Sequence, residues 1–265
     1  MTVPSASTPA EMVRVVEDTR VKFEQGRAIV RGLPVNEAIA RLAEFFLGSP
    51  YVAQSLDQTG PELLRLDLTQ FDCMLFVEQL LALVSADSFE DFVEQTRRLR
   101  YRNGAIGYCT RQHYFHDWVS SAQGEGFIQA SPDWPEQSMR HLPLNFMSSH
   151  RDRYPALKSQ VLFDCIHQRE QGRRVAQRYL PMVSLDAALP SLQSGDVFAV
   201  ATRVSGLDVS HTGVLVREGS RLDAIHAAPG RGVMRSRSFE RYLRSVPDAI
   251  GAVIVRPRSS QLPLQ

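Results

Sequence analysis

The sequence predicts an α+β fold in which N-terminal helices precede an antiparallel β-sheet. Between residues 11 and 99, apolar residues recur with a spacing near 3.6, which is typical of helices packed on a core. From Ser191 onwards, short apolar runs alternate with turn residues, which predicts strands. No internal repeat and no sharp break in composition divides the chain, so we interpret residues 1–265 as a single domain.

Four helices are predicted in the first hundred residues, over Met12–Phe23, Asn36–Leu47, Asp72–Val84 and Ser88–Leu99. The first two belong to a helical extension that spans residues 1–60. The helix over Asp72–Val84 is apolar on nearly every face, which predicts a buried central helix. The fourth begins at Ser88, three residues before Asp91, as in a capping box.

The middle of the chain has a different character from both ends. Residues 101–160 show no clear periodicity and predict an irregular insertion that lines a cleft, with one short helix over Gln112–Ser121. Residues Ser159–Arg173 are predicted as a strand followed by a helix. Later strands are predicted over Ser194–Ala201, Val209–Val216, Arg221–Ala227 and Gly251–Arg256, with a helix near Ser238–Leu243.

Composition argues against several functions. With 30 basic and 29 acidic side chains, the net charge is +1, so a nucleic-acid or anionic-membrane partner is not expected. Cys73, Cys109 and Cys165 are too few and too scattered for a disulfide framework or a zinc site, and Cys109 and Cys165 are expected to be structural. No signal peptide or membrane span is predicted, so the expected location is periplasmic if a leader was trimmed and cytoplasmic otherwise.

Cys73 is the candidate nucleophile. It follows Asp72 at the first turn of the central helix, where the helix dipole and the unpaired N–H groups favour a thiolate. The same N–H groups can stabilise the oxyanion that forms when a carbonyl carbon is attacked. A cysteine in an apolar stretch is more often an inert core residue, and only the position at the helix N-terminus favours catalysis.

His211 is the candidate general base, on the strand Val209–Val216. If Glu218-Gly219 forms the turn of the following hairpin, His211 lies directly opposite His226 and both point to the same face. The second imidazole would then orient the first, as in the triad of a cysteine hydrolase. A shift of one residue in the strand register would separate the two histidines.

The motifs around these residues resemble a known superfamily. A helix that begins with cysteine, a Gly-Asp strand, a Ser-His-x-Gly strand and an Ile-His-Ala strand, in this order, resemble the NlpC/P60 papain-like cell-wall hydrolases. Within that superfamily, four segments resemble the DUF1460 family of N-acetylmuramoyl-L-alanine amidase-like enzymes: Phe71–Glu78, Tyr101–Gly104, Arg111–Trp118 and Gly206–Gly213. The resemblance runs from about Leu42 to the C-terminus, although the family often has His-Ala-Ser where this chain has His226-Ala227-Ala228.

The resemblance implies a papain-like core with the nucleophile helix packed on the sheet. It implies that Cys73 is the nucleophile, His211 the general base and His226 the third polar residue. The implied enzyme is a monomeric cysteine amidase, without metal or cofactor, that hydrolyses the bond between the lactyl group of N-acetylmuramic acid and L-Ala in peptidoglycan fragments. The same triad would serve the alternative, an endopeptidase of the γ-D-Glu–diaminopimelate bond.

Two further classes of function are less consistent with the sequence. A non-catalytic binding module would tolerate the loss of Cys73, His211 and His226, yet all three are present. A thiol-based redox protein would need a resolving cysteine, and none lies near Cys73 in the sequence.

Substrate binding is predicted for an aromatic and basic segment. Trp118 and Tyr114 offer flat faces for a sugar ring, Arg111 offers a fork for a carboxylate, and His113 lies between them in the sequence. Two residues beside His211, namely Asp208 and Ser210, are predicted to contribute to the same cleft. The alternative is that the Arg111–Trp118 segment packs as the base of a lid.

Overall fold

The structure is a computed structural model that describes residues 10–58, 60–129 and 137–258. It is a mixed α+β fold with a large antiparallel sheet, which confirms the predicted class. The interpretation of the N-terminus as lacking a leader falls on residues 1–9, outside the described part, and so does the stretch 130–136 of the predicted insertion. Within the described ranges, no helix has both the length and the apolar character needed to cross a membrane.

Nine α-helices occur in the described residues: α1 (Thr19–Val30), α2 (Val35–Phe45), α3 (Cys73–Ser85), α4 (Phe89–Arg100), α5 (Phe115–Gly124), α6 (Phe146–Ser149), α7 (Gln160–Glu170), α8 (Leu185–Ala188) and α9 (Phe239–Ser245). Each helix predicted before residue 100 is present. The first begins later than predicted, because Val13–Val15 forms a strand instead. The second begins at Val35, directly behind Pro34.

The strands are β1 (Val13–Val15), β2 (Leu64–Leu66), β3 (Ser138–Pro143), β4 (Arg174–Pro181), β5 (Val197–Thr202), β6 (Val209–Glu218), β7 (Arg221–Ala228), β8 (Gly232–Ser236) and β9 (Ala249–Val255). β1 and β2 form a parallel pair. The other seven form one antiparallel sheet in the order β3-β4-β9-β5-β6-β7-β8. The sequence did not predict β1, β2, β3, β4 or β8. The segment Ser159–Arg173, predicted as a strand followed by a helix, contains helix α7 and no strand.

The central strand β5 shows that the sheet is covered on both faces. All of its residues are buried, and alternate side chains point to opposite faces. Val197 and Ala199 pack in the core that includes residues of α2 and α3. Phe198 and Val200 pack in the core that includes Phe239 of α9. A strand buried on both faces reads as a continuous apolar run, as this one does.

Helix α3 lies in the larger core, as its composition predicts. Asp72 is its N-cap, with extended backbone, and its side chain accepts a 2.7 Å hydrogen bond from the Leu75 N–H. The residues from Leu75 to Leu83 are all buried, including Glu78, which pairs with the buried Arg100 of α4. The cap and the apolar faces together hold Cys73 at the exposed end of a buried helix.

The hairpin β6–β7 differs in register from the prediction. Its turn is Gly219-Ser220 rather than Glu218-Gly219, and Val214 pairs with Ile225. His211 and His226 are therefore diagonal neighbours instead of direct opposites. They still share a face, because a turn displaced by one residue moves the pairing by two positions and side chains alternate with a period of two.

Cys109 and Cys165 are structural, and they form a disulfide across 56 residues of sequence. The bond joins the loop before Arg111 to helix α7. The sequence did not indicate this pairing, because the two cysteines become neighbours only when α7 folds back on the insertion. Cys73 remains a free thiol.

Candidate active site

The candidate nucleophile lies where helix α3 meets strand β6. Cys73 is the first residue of α3 and is half-buried. Its carbonyl oxygen accepts a 2.7 Å hydrogen bond from the Thr212 hydroxyl, although 139 residues separate the two in the sequence. This bond holds the first turn of the helix against the strand that carries His211.

Burial acts against the thiolate that the sequence predicts. It raises the pKa of the Cys73 thiol to about 12, and the neighbouring Asp72 carboxylate adds to the rise, whereas the N–H and hydroxyl of Thr212 oppose it. With its pKa raised in this way, the Cys73 thiol is neutral at pH 7. The helix N-terminus favours the anion, but the loss of solvation and a like charge one residue away outweigh it.

Three side chains, on strands β6, β7 and β8, form a hydrogen-bonded line. His211 Nε2 lies 2.9 Å from His226 Nδ1, and His226 Nε2 lies 2.9 Å from the Ser236 hydroxyl. Burial lowers the pKa of His211 to about 4, and burial with the charge of His211 lowers the pKa of His226 to about 3. Both imidazoles are therefore neutral at pH 7.

The bonding pattern determines which nitrogen of His211 can act as a base. With Nε2 directed at His226, Nδ1 of His211 is left without a hydrogen-bond partner among the described residues. A neutral His211 that donates from Nε2 has its lone pair on Nδ1, and His226 then donates from its own Nε2 to Ser236. In this arrangement, His226 orients His211 so that the lone pair on Nδ1 can accept a proton.

Tyr242 of α9 connects the thiol with the two histidines. Its ring centroid lies 4.4 Å from that of His226 and 6.3 Å from that of His211. Its pKa is raised by burial and by the proximity of Cys73. Tyr51 also lies close to Cys73 and Asp72. Burial and these two neighbours raise the pKa of Tyr51 to about 12. The thiol and both imidazoles thus belong to one cluster.

A bulge shapes the strand beside the base. The pairing of β5 with β6 shifts between Thr212 and Val209, so β6 has an extra residue there and His211 lies within it. Bulges bend a strand and redirect side chains, and they are frequent beside active sites. Ser210, in the same bulge, is exposed.

The sequence predicted that Arg111 binds a substrate carboxylate, but in the structure its guanidinium is paired within the protein. Its Nη1 donates to both carboxylate oxygens of Glu62, at 2.9 and 3.1 Å, and to the Leu56 carbonyl at 2.6 Å. The guanidinium also packs over the Tyr108 ring, with Cζ 4.6 Å from the centroid. The Glu62 carboxylate therefore takes the hydrogen bonds of Nη1 that were predicted to bind a substrate carboxylate.

The two predicted aromatic platforms are buried. Trp118 is 1% exposed and stacks on Phe115. Tyr114 is 5% exposed and its hydroxyl donates a 2.6 Å hydrogen bond to Glu170. Neither ring has an open face, so a sugar cannot stack on them in this structure. These two side chains are therefore consistent with the alternative prediction, in which the Arg111–Trp118 segment packs as the base of a lid.

Asp208 is also engaged within the protein. It is buried and accepts hydrogen bonds from the His116 N–H of α5, at 2.7 Å, and from the Val209 N–H, at 2.9 Å. Burial raises its pKa to about 6, and these hydrogen bonds oppose the rise. Its position anchors the start of β6 to the N-terminus of α5, so it supports the cleft rather than lining it.

His113 lies on a cavity beside the nucleophile. Its Nε2 lies 2.7 Å from the Tyr108 carbonyl oxygen, and burial holds its pKa well below the usual value. The cavity measures about 220 Å³ and is lined also by Asp72 and Met74, the two sequence neighbours of Cys73. Of the predicted binding residues, His113 and Arg111 line this space.

Sequence reasoning missed several members of the site. Thr212 directly follows His211 in the quoted motif, so its position was available as a signal. Ser236 gave none, because β8 was not predicted, and Tyr242 and Tyr51 come from distant parts of the chain. No group of three or more metal-ligating side chains with suitable geometry occurs in the described ranges.

A family of known proteins matches most of the chain. The AmiA-like family, described as N-acetylmuramoyl-L-alanine amidase-like, matches residues 41–251. No curated protein sequence matches the chain.

Several solved structures are similar to the chain. An N-acetylmuramoyl-L-alanine amidase from Bacteroides uniformis is 30% identical, with a TM-score of 0.76 over 84% of this chain and 99% of that chain. A putative xylanase from Bacteroides fragilis is also 30% identical, with a TM-score of 0.73 over 81% and 98%. A DUF1460 protein from Legionella pneumophila is 20% identical, with a TM-score of 0.75 over 91% and 95%, and shares the fold.

Proposed function

The chain belongs to the AmiA-like family of N-acetylmuramoyl-L-alanine amidase-like proteins, and from its site we propose a cysteine amidase. The bond it cleaves is the amide between the lactyl group of N-acetylmuramic acid and L-Ala in peptidoglycan fragments. One observation carries the proposal: Cys73, a free thiol at a helix N-terminus, is held by Thr212 against strand β6, on which His211 begins the line to His226 and Ser236.

In the first step, the Cys73 sulfur attacks the lactyl carbonyl carbon while its proton passes to Nδ1 of His211. Because both groups are neutral before substrate binds, the proton moves during the attack rather than before it. The carbonyl oxygen becomes an oxyanion, which the Cys73 N–H at the start of α3 can stabilise.

In the second step, the His211 imidazolium gives its proton to the leaving amine, and the C–N bond breaks. The stem peptide leaves with a free L-Ala amine, and the lactyl group remains as a thioester on Cys73. Water then attacks the thioester with His211 as base, which releases the lactyl carboxylate and restores the thiol. His226 and Ser236 keep the imidazole oriented throughout.

The proposal includes an NlpC/P60 papain-like core. A nucleophile at the start of a buried helix, with the base on an adjacent antiparallel strand, is the arrangement that the sequence resemblance implies. The order of the nucleophile before the base in the chain is consistent with it.

The test uses defined muropeptides and product identification by mass. The wild-type protein should release intact stem peptide with a free L-Ala amine, and Cys73→Ala should reduce turnover by at least about 10³-fold while the melting temperature stays unchanged. A disaccharide-dipeptide product would instead identify the endopeptidase. Full activity of Cys73→Ala would refute the cysteine mechanism.

A further inference from the structure

A second cavity, of about 560 Å³, is lined by three arginines and a single carboxylate. The arginines are Arg102, which follows helix α4, Arg169 of α7, and Arg173, which lies three residues beyond α7. The carboxylate belongs to Asp117 of α5. The rest of the lining is polar and uncharged: Asn103, Gln112, Ser120 and Ser121. We call this space the arginine cavity. Its lining side chains carry three positive charges and one negative charge.

The single carboxylate is already in use. Arg173 donates to both oxygens of Asp117, and Arg169 Nη2 lies 3.5 Å from the same group. Arg102, by contrast, is exposed, and its guanidinium makes no hydrogen bond or ion pair with the described residues. Burial and the charge of Arg102 lower the pKa of Arg169, so the two guanidiniums lie close enough to repel each other. An anion bound at Arg102 would relieve this repulsion.

The other arginines of this region have acidic partners. The pairs that helix α4 supplies are Arg97–Glu94, Arg98–Glu125 and Arg100–Glu78. Two further carboxylates lie near the arginine cavity without lining it. Glu170 is buried and accepts hydrogen bonds from the Tyr114 hydroxyl and the Ser148 N–H, and the buried Asp208 accepts from two backbone N–H groups. Neither forms an ion pair with Arg102, which therefore remains available to a ligand.

The arginine cavity is a neighbour of the cavity beside the nucleophile. Gln112 lines both, so the width of one residue separates them. The cavity beside the nucleophile also touches Asp72 and Met74, on either side of Cys73 in the sequence. A peptide of three residues in extended form spans about 10 Å. A stem peptide whose scissile bond lies at Cys73 can therefore place its distal groups in the arginine cavity.

We propose that the arginine cavity binds a carboxylate of the stem peptide through Arg102. The inference rests on the proposed amidase function. The planar fork of a guanidinium binds a carboxylate through two parallel hydrogen bonds, and the nearby charge of Arg169 adds to the attraction. The stem carries carboxylates on D-Glu and on the diamino acid, all of them distant from the scissile bond. The cavity thus recognises the peptide part of a muropeptide rather than its sugar.

Binding can be measured without turnover in Cys73→Ala protein. Calorimetry would compare that variant with Cys73→Ala/Arg102→Gln, using an N-acetylmuramoyl tripeptide that ends in diaminopimelate. Loss of the charged fork should weaken binding roughly 5- to 30-fold, and Arg102→Lys should restore part of it, because an ammonium keeps the charge without the fork. The matched control is Cys73→Ala/Arg31→Gln, which should bind as tightly as Cys73→Ala. Arg31 is also exposed and unpaired in the described structure, and it lines neither cavity.

Two amidated ligands identify the carboxylate. One carries an amide in place of the α-carboxylate of D-Glu, and the other carries amides in place of the carboxylates of the diamino acid. The penalty of Arg102→Gln should disappear with the ligand that lacks the carboxylate bound by Arg102, and persist with the other. Equal penalties for all three ligands, no penalty for any of them, or an equal penalty in Arg31→Gln would overturn the inference.

Thermal unfolding tests a structural role for Arg102. Because its guanidinium has no partner in the described structure, Arg102→Gln should unfold at the same temperature as its parent or slightly above it. A lowered melting temperature together with weaker binding would assign Arg102 to the fold and overturn the inference.

The amidase is tested separately, in protein that keeps Cys73. Arg102-dependent binding by a protein that cleaves no muropeptide would refute the amidase but not the binding site. Cleavage together with Arg102-independent binding would refute only the inference.

Discussion

The contact between α3 and β6 and the segment from Arg111 to Trp118 both contain polar and aromatic residues that the sequence marks as functional. At the first, Cys73 is a free, half-buried thiol, and Nδ1 of His211 has no hydrogen-bond partner among the described residues. In the second, Arg111 is bound to Glu62 and Trp118 is buried. Residue type alone therefore does not distinguish reactive side chains from structural ones. What distinguishes them is whether their reactive or hydrogen-bonding atoms are already paired within the protein.

The largest expected effect concerns the first region. His211→Asn should reduce kcat by about 10² to 10⁴-fold, because the thiol then has no base to take its proton. Steady-state kinetics on a muropeptide measures it. His167→Asn is the matched control, since His167 is exposed on α7 and should leave kcat within about twofold. If His211→Asn retained a tenth of the activity, His211 would not be the base.

The second prediction concerns the segment with satisfied side chains. Arg111→Met should lower the free energy of unfolding by about 3 to 5 kcal/mol, because the largely buried Glu62 carboxylate loses its charged partner and keeps only the hydrogen bond from the Tyr101 hydroxyl. Urea denaturation measures the loss, and Arg111→Met/Glu62→Gln should recover part of it. Unchanged stability together with a raised KM would instead indicate that Arg111 binds a carboxylate of the substrate.

The disulfide should contribute somewhat less. Cys109→Ser/Cys165→Ser should lower the free energy of unfolding by about 2 to 4 kcal/mol, since the bond restrains a long loop in the unfolded chain. Thiol titration of the denatured, unreduced wild type should find Cys73 alone. Three titratable thiols in protein prepared under oxidising conditions would contradict the pairing.

The smallest expected effect is on the pH profile. Burial lowers the pKa of His211 to about 4, so the neutral base persists below the usual histidine range. The value of kcat/KM should therefore stay nearly constant from pH 7 to 5 and fall as pH decreases through about 4, when His211 becomes protonated. Brief assays after a pH jump limit unfolding. An acid limb near 6.5 would show that His211 titrates as an exposed histidine.

Local rules predicted the parts of the fold that depend on near neighbours. The acidic cap and the apolar faces of Asp72–Val84 predicted helix α3 and its N-terminal cysteine. The hairpin turn was predicted one residue early, yet His211 and His226 still meet, because alternation in a strand preserves the face. Strand β8 was missed, and with it Ser236, since its five residues carry no strong strand pattern.

By itself, the sequence determined the α+β class, the position of Cys73 at a helix N-terminus and the family of the chain. Only the tertiary structure decided which polar groups are already bound: Arg111 by Glu62, 49 residues away, and Cys109 by Cys165, 56 residues away. Burial likewise decided that the thiol and His211 are neutral. The reason is physical: desolvation and long-range pairing depend on the residues that folding brings together, and no local pattern specifies them.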